Sequence, residues 1–351
     1  MGVVSSEEVL KSYPDLELRH LFNGSQKVFD EIASRKLARW VVTFSGGKDS
    51  TLTTLLTVDY LSYMSERPQV DVVYSDTLVE IPEMRRTADS LLRHVRRISR
   101  ERGLPVATHV VTPRIEDRFW VRMLGRGYPP PKPMFRWCTG RLKIAPAMPL
   151  FNSKDPTAVI TGVRYGESTK RTGRLIETCS TGGECGQDYW AQKGPTGSGI
   201  TYFAPIIEWR TCKVWDFLHF VAPQSGWPTN QLYELYGDTR LRFGCWTCTL
   251  VPRDKTAEEL INRNPQSPLV KLHELREYIY SEAKNESNRW MRNGHIGPLT
   301  LDFRRKIMTK LLGLQQELNS SLISEEEIDE IYRLWRSGYG VPPKSRPRNG
   351  L

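Results

Sequence analysis

Cysteine is scarce in this sequence. Six in 351 residues, unevenly placed, are too few for a disulfide scaffold and favour a reduced compartment in which thiols serve metal or redox chemistry. Long apolar runs are missing as well. No stretch approaches the roughly 20 apolar residues that cross a bilayer, and no opening segment joins a basic start to an apolar core. We therefore expect a soluble, untargeted, cytoplasmic protein with no membrane partner. No internal repeat appears, so no repeat architecture is expected. Acidic side chains are in the minority, 40 against 50 Lys and Arg, and the formal charge of +10 favours a polyanionic partner, because clustered cations displace counterions from phosphates. Much of the excess lies in Arg85 to Arg102 and in the tail from Arg333 to Arg348, which solvated faces would explain equally well.

What is present is an alternation of short apolar runs with helical patterns. Residues 40–44, Val70 to Tyr74, Val106 to Val111, Ala158 to Val163 and Phe203 to Ile207 are strand candidates. Between them, Thr51 to Tyr63 has helical composition. Met84, Ala88, Leu91, Leu92, Val95 and Ile98 recur at helical spacing, with arginines on the other face. This order implies an α/β fold, a parallel twisted sheet flanked by helices, and such sheets bind ligands beyond the carboxyl ends of their strands. The prolines between Tyr128 and Pro133 predict a stiff extended segment. Val214 to Val221 starts another helix, and helices are expected over Ala257 to Asn262, Leu269 to Lys284, Phe303 to Asn319 and Glu325 to Arg336. The expected organisation is an N-terminal helical segment (1–35), a nucleotide domain with a Cys-containing insertion (36–255), a helical C-terminal region (256–337) and a mobile basic tail (338–351).

The first strand runs into Ser45-Gly46-Gly47-Lys48-Asp49-Ser50. Two glycines let the backbone approach a phosphate, the following helix offers unpaired N–H groups, and Lys48 adds a full charge. It is not a Walker loop, which needs Gly where Val42 sits and Ser or Thr where Asp49 sits. Asp76-Thr77 closes the second strand with Glu80 shortly after. Gly162-Val163-Arg164 closes the fourth, ahead of Glu167, Ser168 and Arg171.

Cys245-Trp246-Thr247-Cys248 has the spacing that lets two thiolates face one metal or cluster, with Gly244 before it to permit close approach. Cys138 follows the proline segment in a basic stretch that favours a thiolate. A fourth ligand would come from Cys179, Cys185 or Cys212. Cys185 is preferred because Gly183 and Gly186 flank it, then Cys179; Cys212 is expected to be buried and inert. Residues 179–200 hold six glycines, so we expect order there only when something binds.

The loop Ser45 to Ser50 resembles that of the PP-loop ATP pyrophosphatases, whose fold is of the adenine nucleotide alpha hydrolase type. Together with Phe135-Arg136-Trp137-Cys138, Arg164 to Ser168, Pro205-Ile206-Ile207 before Trp209, and Arg242 to Cys248, the chain from about Trp40 to Lys255 resembles the phosphoadenylyl-sulfate reductase family. More narrowly it is similar to the ATP pyrophosphatases of the Dnd and Ssp DNA phosphorothioation systems. The resemblance implies that Ser45, Gly46, Gly47, Lys48, Asp49 and Ser50 wrap the phosphates of ATP, that Asp76 and Thr77 contact nucleotide, and that Arg164 reaches phosphate. It also implies that Asp49 helps hold Mg²⁺, that Lys48 balances charge on departing pyrophosphate, and that Cys138, Cys185, Cys245 and Cys248 hold a [4Fe-4S] cluster, with zinc as the alternative. Its expected partners are a cysteine desulfurase as sulfur source, other phosphorothioation subunits, and DNA. Dnd-type proteins carry a further cysteine shortly before the Gly-Cys-x-x-Cys; residues 237–243 hold none, which leans toward the shorter Ssp type. Rival readings are a sulfonucleotide reductase, against which stands the lack of any cysteine after Cys248, a tRNA-thiolating enzyme, and a non-catalytic zinc-stabilised DNA-binding subunit.

Overall fold

A computed structural model describes residues 5–151, 155–165, 191–193, 199–237, 243–292 and 295–338. Glu167, Ser168, Arg171, Cys179 and Cys185 lie outside the described residues, as does the tail beyond 338. The chain forms two compact units. One comprises Met1–Ser75, Glu83–Val111 and Ala147–Arg240, the other Asp76–Pro82, Thr112–Pro146 and Leu241–Leu351.

The first unit opens with α1 (Ser6–Ser12) and α2 (Leu16–Ser34), followed by β1 (Arg39–Phe44), α3 (Lys48–Tyr63), β2 (Gln69–Ser75), α4 (Pro82–Glu101) and β3 (Val106–Val111). After α5 (Ala145–Phe151) come β4 (Thr157–Ile160), β5 (Ala191–Lys193), β6 (Ile200–Phe203), α6 (Thr211–Asp216) and α7 (Asn230–Tyr236). Five strands run parallel in the order β3-β2-β1-β4-β6, and β5 adds an antiparallel edge. Central strands buried on both faces read as apolar runs, and the middle of β1 does so: Trp40, Val41 and Val42 lie fully inside, opposite Val70, Asp71 and Val72 of β2. Along α3 the residues from Ser50 to Val58 are all buried, yet four are threonines. The hydroxyls of Thr53, Thr54 and Thr57 donate to the carbonyls four residues back at 2.8–3.0 Å, so these polar groups enter the core satisfied.

Two expected strands are corrected. The fourth ends at Ile160, short of Val163, and the last parallel strand covers Ile200–Phe203 rather than Phe203 to Ile207. Pro205 has no N–H for a ladder, and Ile207 and Trp209 turn back onto the carbonyls of Ala204 and Ile206 at 3.1 and 3.0 Å. Ile206 and Ile207 are buried, but as a turn.

In the second unit the helices α8 (Lys255–Arg263), α9 (Leu269–Glu282), α10 (Leu301–Glu317) and α11 (Glu325–Arg336) match the expected helical C-terminal region to within two residues at nearly every end. A hairpin, β7 (Arg289–Arg292) with β8 (His295–Leu299), was not anticipated, although Asn293-Gly294 is the strongest short hairpin signal a sequence can carry. Val121–Gly125 winds as a π-helical turn, which leaves carbonyls open. Those of Leu124 and Gly125 accept from the fully buried Arg304 at 3.2 and 2.8 Å, and Leu124 also accepts from Trp335 Nε1 at 2.8 Å.

Back in the first unit, His94 of α4 is 8% exposed, lies 5.0 Å from the Trp227 ring, and is pushed down from 6.5 to about 4 by burial and by Arg97. The folded chain thus resists protonation that the unfolded chain accepts. Stability should therefore fall as pH drops from about 6.5 to about 4 and change no further through this group below that, a loss of at most about 3 kcal/mol. Urea midpoints across this range should show a shallower pH dependence for His94→Gln than for the natural chain; equal slopes would refute the assignment.

Candidate functional site

Ser45 follows β1 directly, and the loop is folded on itself by Ser50. The Ser50 hydroxyl accepts from the Ser45 N–H at 3.1 Å, lies 3.0 Å from the Ser45 hydroxyl, and donates to the Gly47 carbonyl at 3.0 Å. Gly46 has a positive φ of 76°, and a Cβ there would sit 2.7 Å from the Cβ of Ala88 on α4. Both the backbone conformation and the close approach require glycine. Gly47 occupies the N-cap of α3 without any side-chain cap, so the first turn of the helix keeps donors and a positive dipole end for an anion. A Cβ at Gly47 would lie 3.3 Å from the Tyr236 hydroxyl, which places that hydroxyl beside the loop.

Lys48 and Arg164 meet on one carboxylate. The Lys48 ammonium donates to Asp49 Oδ2 at 2.9 Å, and Arg164 Nε donates to Asp49 Oδ1 at 2.7 Å. Arg164 is 4% exposed; its remaining nitrogens donate to the Trp209 carbonyl at 3.0 Å and the Thr211 hydroxyl at 3.3 Å. Trp209 in turn donates to Ser25 at 2.9 Å, and Ser25 to the Pro205 carbonyl at 2.8 Å. The turn that replaced the expected strand is therefore what seats Arg164. Gly162 packs so closely on α3 that a Cβ would come within 2.9 Å of the Asp49 carbonyl group. Arg164, which the resemblance led us to expect at phosphate, places its guanidinium here on Asp49 and on protein carbonyl and hydroxyl oxygens. Asp49, expected as a Mg²⁺ ligand, is shared between two cations, with carboxylate lone pairs still to spare. Tyr236 was missed by sequence reasoning. Its ring centroid lies 5.8 Å from the Lys48 ammonium and no local pattern marks it.

In the second unit, Asp76 and Thr77 directly follow β2 in the chain and are buried. Asp76 Oδ1 accepts from the Leu78 N–H at 2.8 Å, an Asx turn that steadies Leu78 at a φ of 64°. Thr77 donates to Glu80 Oε1 at 3.0 Å and lies 3.3 Å from Cys245 Sγ. Glu80 and Cys245 sit opposite each other in an antiparallel bridge closed by the Ile81 N–H on the Gly244 carbonyl at 3.2 Å and the Trp246 N–H on the Val79 carbonyl at 3.0 Å. Lys143 completes the group with its ammonium 3.4 Å from Glu80. Burial works against that ammonium, but Glu80 and Cys245 outweigh it and hold Lys143 protonated.

The Cys248 N–H donates to the Cys245 carbonyl at 3.0 Å, which makes the two-residue spacing a tight turn. Buried Arg276 of α9 grips the irregular segment beyond it, donating to the carbonyls of Cys248 at 2.9 Å and Pro252 at 3.3 Å. Three sequence expectations change. Gly244 has open space where a Cβ would go, so no protein atom of the described residues requires glycine there. Burial pushes the Cys138 thiol up rather than making it a ready thiolate. Cys212, expected to be buried, is exposed and lies in the first unit. Burial raises the thiols of both Cys138 and Cys245 above the ordinary cysteine value. Among the described residues, however, no three Cys, His, Asp or Glu side chains converge on one point as ligands. The donor set still suits a soft metal or an iron–sulfur cluster, because three partly buried thiols occur in one unit and buried thiols gain most by binding metal as thiolates.

A cleft at the opposite, amino ends of the strands is lined by Asp30, Lys36, Trp40, Tyr60 and Arg67. It is remote from the loop after β1 and contributes none of the groups above.

Comparison with known proteins sets this geometry in context. An uncharacterised protein of Methanocaldococcus jannaschii is 26% identical over 299 residues, 83% of this chain and 51% of the relative. A second from the same organism is 25% identical, over 63% of this chain and 44% of its own length. The chain thus spans about half the length of these curated relatives. Among solved structures, a phosphoadenylyl-sulfate reductase from Candida auris, in complex with phosphate, is 17% identical with a TM-score of 0.39, covering 67% of this chain and 98% of its own. The U34-tRNA thiolase NcsA from Methanococcus maripaludis, with its [4Fe-4S] cluster, is 11% identical with a TM-score of 0.37, covering 76% of this chain and 79% of its own. Scores this low carry no argument about chemistry. The phosphoadenosine phosphosulfate reductase domain matches residues 39–251, which include the Ser45–Ser50 loop, Arg164 and the Cys245–Cys248 turn, and the chain belongs to that family.

Proposed function

We propose that this protein is an ATP pyrophosphatase that activates a substrate for sulfur incorporation, in bacterial DNA backbone phosphorothioation. The observation that carries the reading is the uncapped start of α3 behind Gly46 and Gly47, with Lys48 beside it: backbone donors, dipole and charge all suited to a polyphosphate.

In this reading Ser45 to Ser50 hold the β- and γ-phosphates of ATP and leave the α-phosphorus open. An oxygen of the substrate attacks that phosphorus, an O–P bond forms, the bond to the β-phosphate oxygen breaks, and pyrophosphate leaves with the electron pair. Lys48 meets the charge that builds on the leaving group, where a fixed cation contributes most because it need not reorganise. Asp49 keeps Lys48 and Arg164 in place, and Asp76 and Thr77 contribute to the nucleotide contact. Asp49 would also hold Mg²⁺, which supplies Lewis-acid neutralisation of phosphate charge. The terminal sulfur of a persulfide delivered from a cysteine desulfurase then displaces AMP, which carries off the former non-bridging oxygen, and a thiol reductant breaks the S–S bond with two electrons to leave sulfur on phosphorus. Cys138, Cys245 and Cys248, with Cys185 outside the described residues, would hold a [4Fe-4S] cluster or zinc; a cluster supplies a thiophilic, electron-accepting centre. Other phosphorothioation subunits would complete the system. In support stands the family itself, whose name ties a nucleotide to sulfur chemistry.

Lys48→Ala should lower pyrophosphate release from ATP by about 10² to 10³ with the circular dichroism spectrum retained. Gly46→Ala, which meets Ala88, should do so too. Unchanged turnover in both, or release of sulfite from a sulfonucleotide without any ATP cleavage, would remove the assignment.

Purified without oxygen, the protein should be brown with about four irons per chain, and Cys245→Ser or Cys248→Ser should bleach it. One equivalent of zinc and no iron would instead support a structural metal site.

A further inference from the structure

We infer that the outer face of α4 is a docking surface for the phosphate backbone of duplex DNA. From Pro82 to Arg100 every exposed residue is an arginine: Arg85, Arg86, Arg93, Arg96, Arg97 and Arg100. At 3.6 residues per turn these six fall within an arc of about 120° and extend over about 22 Å of helix. The helix carries no lysine and three carboxylates, Glu83, Asp89 and Glu101, so it keeps a net +3.

The pairs formed by Arg86 and Arg97 neutralise little of this. Arg86 meets Glu83 at 3.4 Å and Arg97 meets Glu101 at 3.0 Å, both pairs with strongly exposed arginines that solvent screens. Arg96 is bonded to the neutral Thr108 hydroxyl, and Arg100 to the Arg96 carbonyl at 3.3 Å. Among the described residues no carboxylate pairs with Arg93, Arg96 or Arg100. Gathering six like charges on one helix face is unfavourable unless an anion comes to it.

The chemistry of the face selects the anion. Arginine's planar fork matches phosphate oxygens two at a time, which a row of lysines would not. A helix that inserts into a membrane surface needs apolar side chains at the boundary, whereas Met84, Ala88, Leu91, Leu92, Val95 and Ile98 are all buried. No exposed Asn, Gln, Ser or Thr stands among the arginines to read base edges, so contact is with the backbone and indifferent to sequence. Arg86, Arg93 and Arg100 recur every seven residues, about 10.5 Å apart, and so present a regular row to a regular polyanion. The opposite side of α4 packs on the phosphate loop, where Ala88 and Met84 crowd Gly46. DNA held on this helix is thereby anchored to the element that braces the ATP loop. The choice of DNA rests on the function proposed above; the surface itself rests on the arginines.

The experiment is binding of labelled random-sequence duplex DNA to the full chain without nucleotide, read by fluorescence anisotropy over a range of salt. Arg86→Gln/Arg93→Gln/Arg100→Gln should weaken binding at least about tenfold near 0.1 M salt and lower the steepness of the log–log salt dependence by about 2 to 3. The corresponding triple Lys variant should keep the steepness. The thermal melt and ATP cleavage measured without DNA should be unchanged in both, so failure of docking is read separately from failure of ATP chemistry. Equal affinity and salt slope in the Gln variant would overturn the surface. Arginine-dependent binding that is tighter for transfer RNA, or for vesicles of anionic lipid, than for duplex DNA would overturn the partner.

Discussion

One half-buried carboxylate organises the nucleotide half of this protein. Asp49 stands in the first turn of α3 and takes Lys48 on one oxygen and Arg164 on the other. Removing the acid would leave a buried guanidinium uncompensated, a change that typically costs about 3 to 5 kcal/mol. The pair ties the loop after β1 to the loop after β4, because Arg164 is also fastened to Trp209 and Thr211. A cation held this way is oriented in advance, which is the condition that the proposed stabilisation of a leaving group requires.

Glycine makes that arrangement sterically feasible at two places. Gly46 allows α4 to press on the loop, and Gly162 allows the strand-end loop to lie against the backbone of Asp49 and Ser50. Neither contact tolerates a Cβ without movement. The helix braced by Gly46 is the one whose far side carries only arginine, so support of the loop and presentation of charge are functions of opposite faces of α4. This division follows from the 3.6-residue period, which separates a buried apolar stripe from an exposed one on the same helix.

The cysteine half depends on a different kind of constraint, hydrogen bonding of irregular backbone. Cys245 is fixed by its bridge to Glu80 and by Thr77, and the segment after Cys248 is gathered by Arg276. Arg304 does the same for the carbonyls released by the π-helical turn at Val121–Gly125. Buried arginines with several carbonyl partners satisfy groups that neither helix nor sheet can, and each donates in a fixed fork.

Much of this was legible in the sequence. Hydrophobic runs marked β1, β2 and β3 and the period of 3.6 marked α4 and the C-terminal helices, since burial on one or two faces writes itself directly into residue order. The phosphate loop was readable because glycine, lysine and a strand-to-helix junction are local features, and the match to the family followed from them. Where long-range contact decides, sequence order carried no signal. The apolar Ile206 and Ile207 became a turn because Pro205 cannot donate to a ladder and because Trp209 is needed to seat Arg164. Arg164 met Asp49, more than a hundred positions away, and Tyr236 came to lie beside Lys48 through packing alone. Cys212 turned outward although Val214, two positions on, is fully buried. The sequence by itself determined which segments are strands and helices and which loop can hold an anion, because those depend on local chemistry; only the tertiary structure decided which charges neutralise one another, because a side chain's partner is set by where the fold brings the backbone.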